Sequence, residues 1–306
     1  DQDMTDVLIA GVAVADIIMR VAELPEKAEK YRAKDALVTV GGCAANAAIA
    51  VARQGGRARL AARLGDDLIG HLIADGIKAE GVDLSLSDRR AGAQSSFSSI
   101  YVDAAGERQI MNFRGRDLAE TIDLTSAPPA GAVLADNRWP RLTAEAIAAA
   151  TRWSVPSVID AEAPFEADAV RGATHIAFSM QGLEEYAPGF SVEEALERAR
   201  ADFNCWIAVT DGPNGVWFTE GHGIGHIPSF SVDVVDTLGA GDIWHGAFAF
   251  RLAEGADESA AIRFANAAAA LKCTRFGGIS GCPDRRQTEE FLDRESAASQ
   301  SSEDQS

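Results

Sequence analysis

From about residue 131 the chain alternates short apolar runs with helical patterns: AVLAD, a helix near 143–152, SVIDAEA, a short helix, HIAFS, a helix near 191–203, then WIAVTDG. Parallel strands need a crossover of a dozen or more residues, and a helix that makes the crossover covers a face of the sheet. The alternation therefore predicts an α/β chain, a parallel sheet with helices on both faces. Such sheets bind ligands beyond the carboxyl ends of their strands. Arg138 follows AVLAD at that edge, and Asp160 and Glu162 follow the next strand. Thr210, Gly212 and Gly215 form a turn after another, and GVWFTE and IGHIPSFSVDVV return as antiparallel strands.

The stretch that comes next, Val234 to Phe248, reads VVDTLGAGDIWHGAF, a glycine-punctuated turn directly before an apolar helical run. The first N–H groups of a helix lack partners and its dipole is positive there, so the turn is suited to an anion. Gly239 and Gly241 let backbone approach closely, and Asp242 falls in the first helical turn. A carboxylate beside a bound phosphate is a poor choice for binding alone. It makes sense if it takes a proton from a hydroxyl that attacks the phosphate. Asp and Thr are also ordinary helix caps, and taken alone the turn reads equally as that.

Residues 7–15, VLIAGVAVA, form one apolar run of strand length, ended by Asp16. Asp16 is a turn residue or a hydroxyl-binding group at the sheet edge. IIMRV reads as a short strand, and the polar segment after it carries Lys30 and Arg32. Gly41-Gly42 opens the helix AANAAIAVARQ, where Asn46 stands out on a small apolar face and Gly55-Gly56 closes. RLAARLGDD is strand and turn, followed by the helix LIGHLIADGIKAEG. SSFSSIYVD and RQIMNFRG flank the turn AAGE as a β-hairpin, a flap with Asn112 and Arg114 at its far end. The long helix ESAAIRFANAAAALKCTRFGG runs to Gly277-Gly278 and offers either dense packing or a flat wall for a planar base.

A net charge of −18 argues against nucleic acid or an anionic membrane as partner. No run approaches the roughly 20 apolar residues of a membrane span, and the acidic start is unlike a signal peptide, so cytoplasmic residence is expected. Cys43, Cys205, Cys273 and Cys282 are scattered without CxxC pairing and read as reduced buried thiols, and the five histidines show no zinc spacing.

Three separated signals, the GG-x-AAN helix start, the Thr-x-Gly turn and the DTxGAGD turn, occur in this order. Together they resemble the ribokinase-like sugar kinases, the PfkB family, across nearly the whole chain. The resemblance implies a mostly parallel sheet flanked by helices within a kinase domain of residues 1–292, with a small β lid from about 17–40 and 94–115. Residues 293–306 are expected to be a disordered tail. It implies transfer of the γ-phosphoryl group of ATP, with Mg²⁺, to a small-molecule sugar. Asp242 matches the family's general base, and Gly239, Ala240 and Gly241 its anion hole. Asp16, Gly42 and Asn46 match sugar-contacting positions; Thr210, Gly212 and Gly215, with Asn266 and Ala270, match the nucleotide side.

Within the family, the segments EKYRA, ERQIMNF, VLADNRW, AFSMQGL and RFANAAAALKCTRFGGISGCPD are most similar to the sulfofructose kinases. That branch implies a sulfonate held by Lys30, Asn112 and Arg138, which are permanent donors for a permanent anion. Ser179-Met180-Gln181-Gly182 departs from the family's Asn-x-x-Glu motif, which leaves Asp160 and Glu162 as outer-shell candidates for Mg²⁺. Another ketose or keto-sugar-acid kinase, or a non-catalytic sugar-binding regulator, are the rival readings. Family lids often pair into homodimers, and an exposed hairpin fits that use.

Overall fold

The computed structural model describes residues 4–303. In chain order the strands are β1 (Asp6–Ala10), β2 (Val14–Arg20), β3 (Asp35–Gly41), β4 (Arg57–Ala61), β5 (Arg63–Gly65), β6 (Asp88–Arg90), β7 (Phe97–Val102), β8 (Arg108–Phe113), β9 (Ala132–Asp136), β10 (Ser157–Ala161), β11 (His175–Ser179), β12 (Trp206–Thr210), β13 (Val216–Glu220) and β14 (Gly223–Ile227). The helices are α1 (Cys43–Arg53), α2 (Leu68–Ala79), α3 (Pro140–Trp153), α4 (Met180–Tyr186), α5 (Val192–Phe203), α6 (Ala240–Ala253), α7 (Glu258–Cys273) and α8 (Arg285–Glu303).

The main sheet has the order β14-β13-β12-β11-β10-β9-β1-β4, parallel from β4 to β12, with β13 and β14 antiparallel at one edge. Along β1 the side chains alternate between two cores. Val7 and Ile9 pack with Ile49, Phe248 and Ile262 from α1, α6 and α7. Leu8 and Ala10 pack with Ile147 and Leu196 from α3 and α5. Each fully buried Leu or Ile contributes about 1.5–3 kcal/mol of transfer free energy, so a strand apolar on both faces needs helices on both. α6 lies between α1 and α7 and is buried from Ile243 to Phe250, which explains why its sequence is apolar all round.

A second sheet, β3-β2-β7-β8, stands apart from the first and is built from the early strands and the hairpin. The apolar run 7–15 is not one strand: it divides into β1 and β2 at Gly11-Val12-Ala13, so the same run serves both sheets. β14 ends at Ile227, because Pro228 has no N–H to continue a ladder, and SFSVDVV is irregular rather than a strand. α7 stops at Cys273 instead of running to Gly278; the chain turns back there so that the Gly277 and Gly278 N–H groups reach Asp236. The segment expected to be disordered from 293 continues α8 to Glu303, as its Ala, Glu and Gln content permits; residues 304–306 lie outside the described residues. No helix among the described residues is long and apolar enough to cross a membrane.

Candidate active site

The turn before α6 is shaped by Gly239, whose φ of 76° lies in the left-handed region that a side chain disfavours. Asp236 anchors it from behind. One of its oxygens accepts from Leu238 N–H at 2.9 Å and from Arg108 of the second sheet at 3.2 Å; the other accepts from the Gly277 and Gly278 amides, each at 3.1 Å. With the turn held this way, Asp242 enters the first turn of α6 and its Oδ2 accepts a hydrogen bond from Asn46 Nδ2 at 2.7 Å.

Asp242 faces a cavity yet sits among low-dielectric walls and other acids. Burial pushes its pKa up to about 7, the nearby Asp160 and Glu162 charges add to the rise, and the Asn46 bond opposes it. Asp136, at the end of β9, is raised to about 6 by burial, against the hydrogen bonds it accepts from the N–H groups of Val12 and Arg138. Asp160, 4% exposed, is raised well above the carboxylate range by burial and then by Glu162 and Asp136, and its Oδ1 has no hydrogen-bond partner. His245 Nε2 lies 3.5 Å from that oxygen, while His245 Nδ1 meets the Gly241 carbonyl at 2.8 Å. Burial lowers the pKa of this imidazole and favours its neutral form. Single ligand atoms of Cys43, Asp160 and Glu162 lie within 4.8 Å of one another.

Two cavities meet at the turn. One, of about 740 Å³, lies between the main sheet edge and the second sheet and is lined by Asp16, Gly42, Asn112, Arg138, Gly239 and Asp242, among others. The other, of about 590 Å³, is lined by Thr210, Gly212, Gly215, Ala240, Asn266 and Ala270, with Trp244. Thr237 and Gly241 line both. An anion in the second cavity and a hydroxyl in the first would face each other across a turn that carries a carboxylate, an arrangement suited to phosphoryl transfer.

Asp16 lies inside β2 rather than at a strand end; burial raises its pKa, with the Ser98 hydrogen bond opposing. A Cβ on Gly41 would come within 2.0 Å of its Oδ2, so that close approach requires glycine. Asn112 Nδ2 donates to Ser98 Oγ at 3.1 Å. Asn266 Oδ1 accepts from Trp244 Nε1 at 2.8 Å, which fixes the wall of the second cavity. Asn46 is not a cavity-lining residue; its donor is given to Asp242. Lys30 lies exposed in the loop between β2 and β3 and is also absent from the lining. Arg138 lines the cavity while pairing with Glu162 and donating to the Ala163 carbonyl at 2.7 Å. Ser179, where the Asn-x-x-Glu motif would begin, caps α4 by accepting from Gly182 N–H at 3.1 Å.

Sequence reasoning passed over Arg63, Arg108 and His245. Arg63 could have been found by the rule that selected Arg138, since it too closely follows an apolar strand of the main sheet. No sequence signal pairs Arg108 with Asp236, 128 residues apart.

The family model described as pfkB family carbohydrate kinase matches residues 4–285. The chain belongs to the pfkB family of carbohydrate kinases. This kinase is 29% identical over 301 residues to the ribokinase of Bacillus subtilis (strain 168), covering 94% of this chain and all of the relative. It is similar to the solved structure of an Agrobacterium tumefaciens protein assigned as a ribokinase, with a TM-score of 0.86, 36% identity, and 95% and 98% of the two chains covered. It also shares its fold with an Arabidopsis thaliana ribokinase solved with ribose and ATP, at a TM-score of 0.80 and 24% identity, over 94% of this chain and 99% of the other. This kinase is therefore an ATP-dependent carbohydrate kinase with a ribokinase-like fold.

Proposed function

We propose that this kinase transfers the γ-phosphoryl group of ATP to the 1-hydroxyl of 6-deoxy-6-sulfofructose. The observation that carries the choice of an anionic acceptor is the cationic wall of a cavity in an acidic protein. Arg63, Arg108, Arg114 and Arg138 all line it, together with the amide of Asn112. Arg108 and Arg138 are paired with Asp236 and Glu162, and a neutral hexose would leave the half-buried Arg63 without a counter-ion, whereas a sulfonate accepts from several donors at once.

In this reading Asp242, as carboxylate, takes the proton of the acceptor hydroxyl. The hydroxyl oxygen forms a bond to the γ-phosphorus, and the bond between that phosphorus and the ADP oxygen breaks. The backbone N–H groups of Gly239, Ala240 and Gly241 receive the charge on the transferring group. Asn46 holds the Asp242 carboxylate in position. The second sheet covers the acceptor and excludes water.

Mg²⁺, when bound, neutralises charge on the phosphates. The residues present fit it: Asp160 and Glu162 are hard oxygen donors, and Asp160 Oδ1 is buried without a partner. Arg138 competes for Glu162, which favours a role for both acids in the outer shell. The unpaired edge strand β8 exposes Ile110, Met111 and Phe113, and pairing of two such edges would give a homodimer in the cytoplasm. ADP release measured with sulfofructose, fructose 6-phosphate and fructose tests the acceptor. Sulfofructose is expected to be preferred, and equal turnover of fructose would sink the assignment.

A further inference from the structure

Arg63 sits just past the end of β4, at the strand-end edge of the sheet to which Arg138 and Glu162 also belong. Its guanidinium carbon lies 3.5 Å from the centroid of the Trp139 ring, and Trp139 lines the same cavity. Nη1 donates to the Ala119 carbonyl at 2.8 Å, and Nε is buried without a partner. The other cavity arginines are in different states. Arg108 is paired with Asp236 and Arg138 with Glu162, while Arg114 is exposed. Arg63 is half-buried and has no ion-pair partner among the described residues. The carboxylate whose field it feels, Asp136, already accepts from two backbone N–H groups.

A half-buried cation without a counter-ion is unfavourable until an anion arrives. Stacking on an indole keeps the guanidinium plane fixed, and with Nη1 given to Ala119 and Nε buried it is Nη2 that remains for a ligand. We propose that Arg63, laid on Trp139, is the specificity-determining cation of the acceptor cavity and binds the tetrahedral anionic end of the sugar, a sulfonate or a phosphate. Arg138 then serves chiefly to hold Glu162 and the 163–164 segment. The proposal rests on the reading of an anionic acceptor given above and names the residue that enforces it.

The test compares kcat/KM for sulfofructose, fructose 6-phosphate and fructose in the wild type, Arg63→Gln, Arg63→Lys and Trp139→Phe, with thermal melts to confirm folding. Loss of a charge-assisted contact is expected to lower kcat/KM for the preferred anionic ketose about 10- to 100-fold in Arg63→Gln, mainly through KM, and to change that for fructose by less than about 3-fold. Arg63→Lys keeps the charge and should retain part of the preference; Trp139→Phe should raise KM for the anionic ketoses alone. The ratio of the sulfofructose loss to the fructose 6-phosphate loss tells which anion the site is built for. A wild type that prefers anionic ketoses, with an Arg63→Gln loss equal for anionic and neutral sugars or absent, overturns the role of Arg63 and leaves the acceptor reading standing. A wild type that prefers fructose overturns both. Should Arg63→Gln fail to fold, an unchanged charge preference in Arg63→Lys and Trp139→Phe overturns it equally.

Discussion

Lys272 Nζ lies 3.0 Å from Asp236 Oδ2 and donates to the Asp236 carbonyl oxygen at 2.7 Å, with the lysine wholly shielded from solvent. This pair ties the end of α7, which lines the second cavity, to the first residue of the DTLGAGD turn. Burial works to raise the Asp236 pKa, but the Leu238 and Gly278 amides and Lys272 together hold it below the usual carboxylate value. The aspartate that opens the DTLGAGD segment is thus an anchor, and the aspartate that closes it is the base of the proposed reaction.

Lys272→Met leaves Asp236 with Arg108 as its remaining counter-ion, whereas Asp236→Asn leaves Lys272 buried with none. Asp236→Asn is therefore expected to destabilise the fold by about 3–5 kcal/mol, more than Lys272→Met does, read from urea unfolding. Asp236→Asn combined with Lys272→Met should cost less than the sum of the two single changes, because the two groups share one interaction.

Asp242→Asn should lower turnover by about two to four orders of magnitude while making the protein more stable at pH 8. Between the ordinary value of 3.8 and about 7 the folded protein binds a proton that the unfolded chain has released, so stability falls as pH rises through that window. The amide removes the fall and can still accept from Asn46. The gain, on the order of 2–4 kcal/mol at pH 8, should shrink toward zero near pH 4. Melting temperatures of the two proteins at both pH values check this.

The rate profile follows from the same group. A base must be deprotonated, so kcat/KM should rise with pH through about 7 and then level off. Asn46→Ala removes the hydrogen bond that favours the Asp242 carboxylate, and the rising limb should move to higher pH by roughly half to one unit. A limb that stays in place in Asn46→Ala would mean that another group sets it.

Gly239→Ala meets little steric obstruction, since a Cβ there would stand 3.4 Å from Asn46 Nδ2. The penalty is conformational, about 1–2 kcal/mol for a left-handed residue. With the turn as the proposed anion hole, kcat is expected to fall at least tenfold while the melting temperature drops by only a few degrees. Steady-state kinetics beside a melt separate the two effects.

The central sheet was legible because its strands alternate with helices over residues 131–210, and a repeated local pattern survives without tertiary information. The run 7–15 misled for the same reason: apolarity is continuous across Gly11, and only the need to feed two sheets divides it. The glycine turn could be located because it is contiguous: Gly239 and Asp242 stand at the start of α6, as the sequence led one to expect. The acceptor side could not be read as fully. Arg108, Arg63 and Asn46 owe their positions to pairings across 56 to 196 residues, from Arg63 with Ala119 to Asn46 with Asp242. Lys30 looked informative as a cation in an acidic chain, yet its loop keeps it exposed and away from the cavity lining.

The convergence of Asp136, Asp160, Asp242 and Glu162 has a consequence for how ligand binding would register in solution. With Asp242 at about 7 and Asp160 raised well above the carboxylate range, the protein near neutrality carries protons on buried acids that a divalent cation held by Asp160 and Glu162, as proposed above, would displace. In that reading, occupation of the site exchanges hydrogen ions for metal. Its calorimetric heat should change with the ionisation enthalpy of the buffer, and the slope of that dependence counts the protons released.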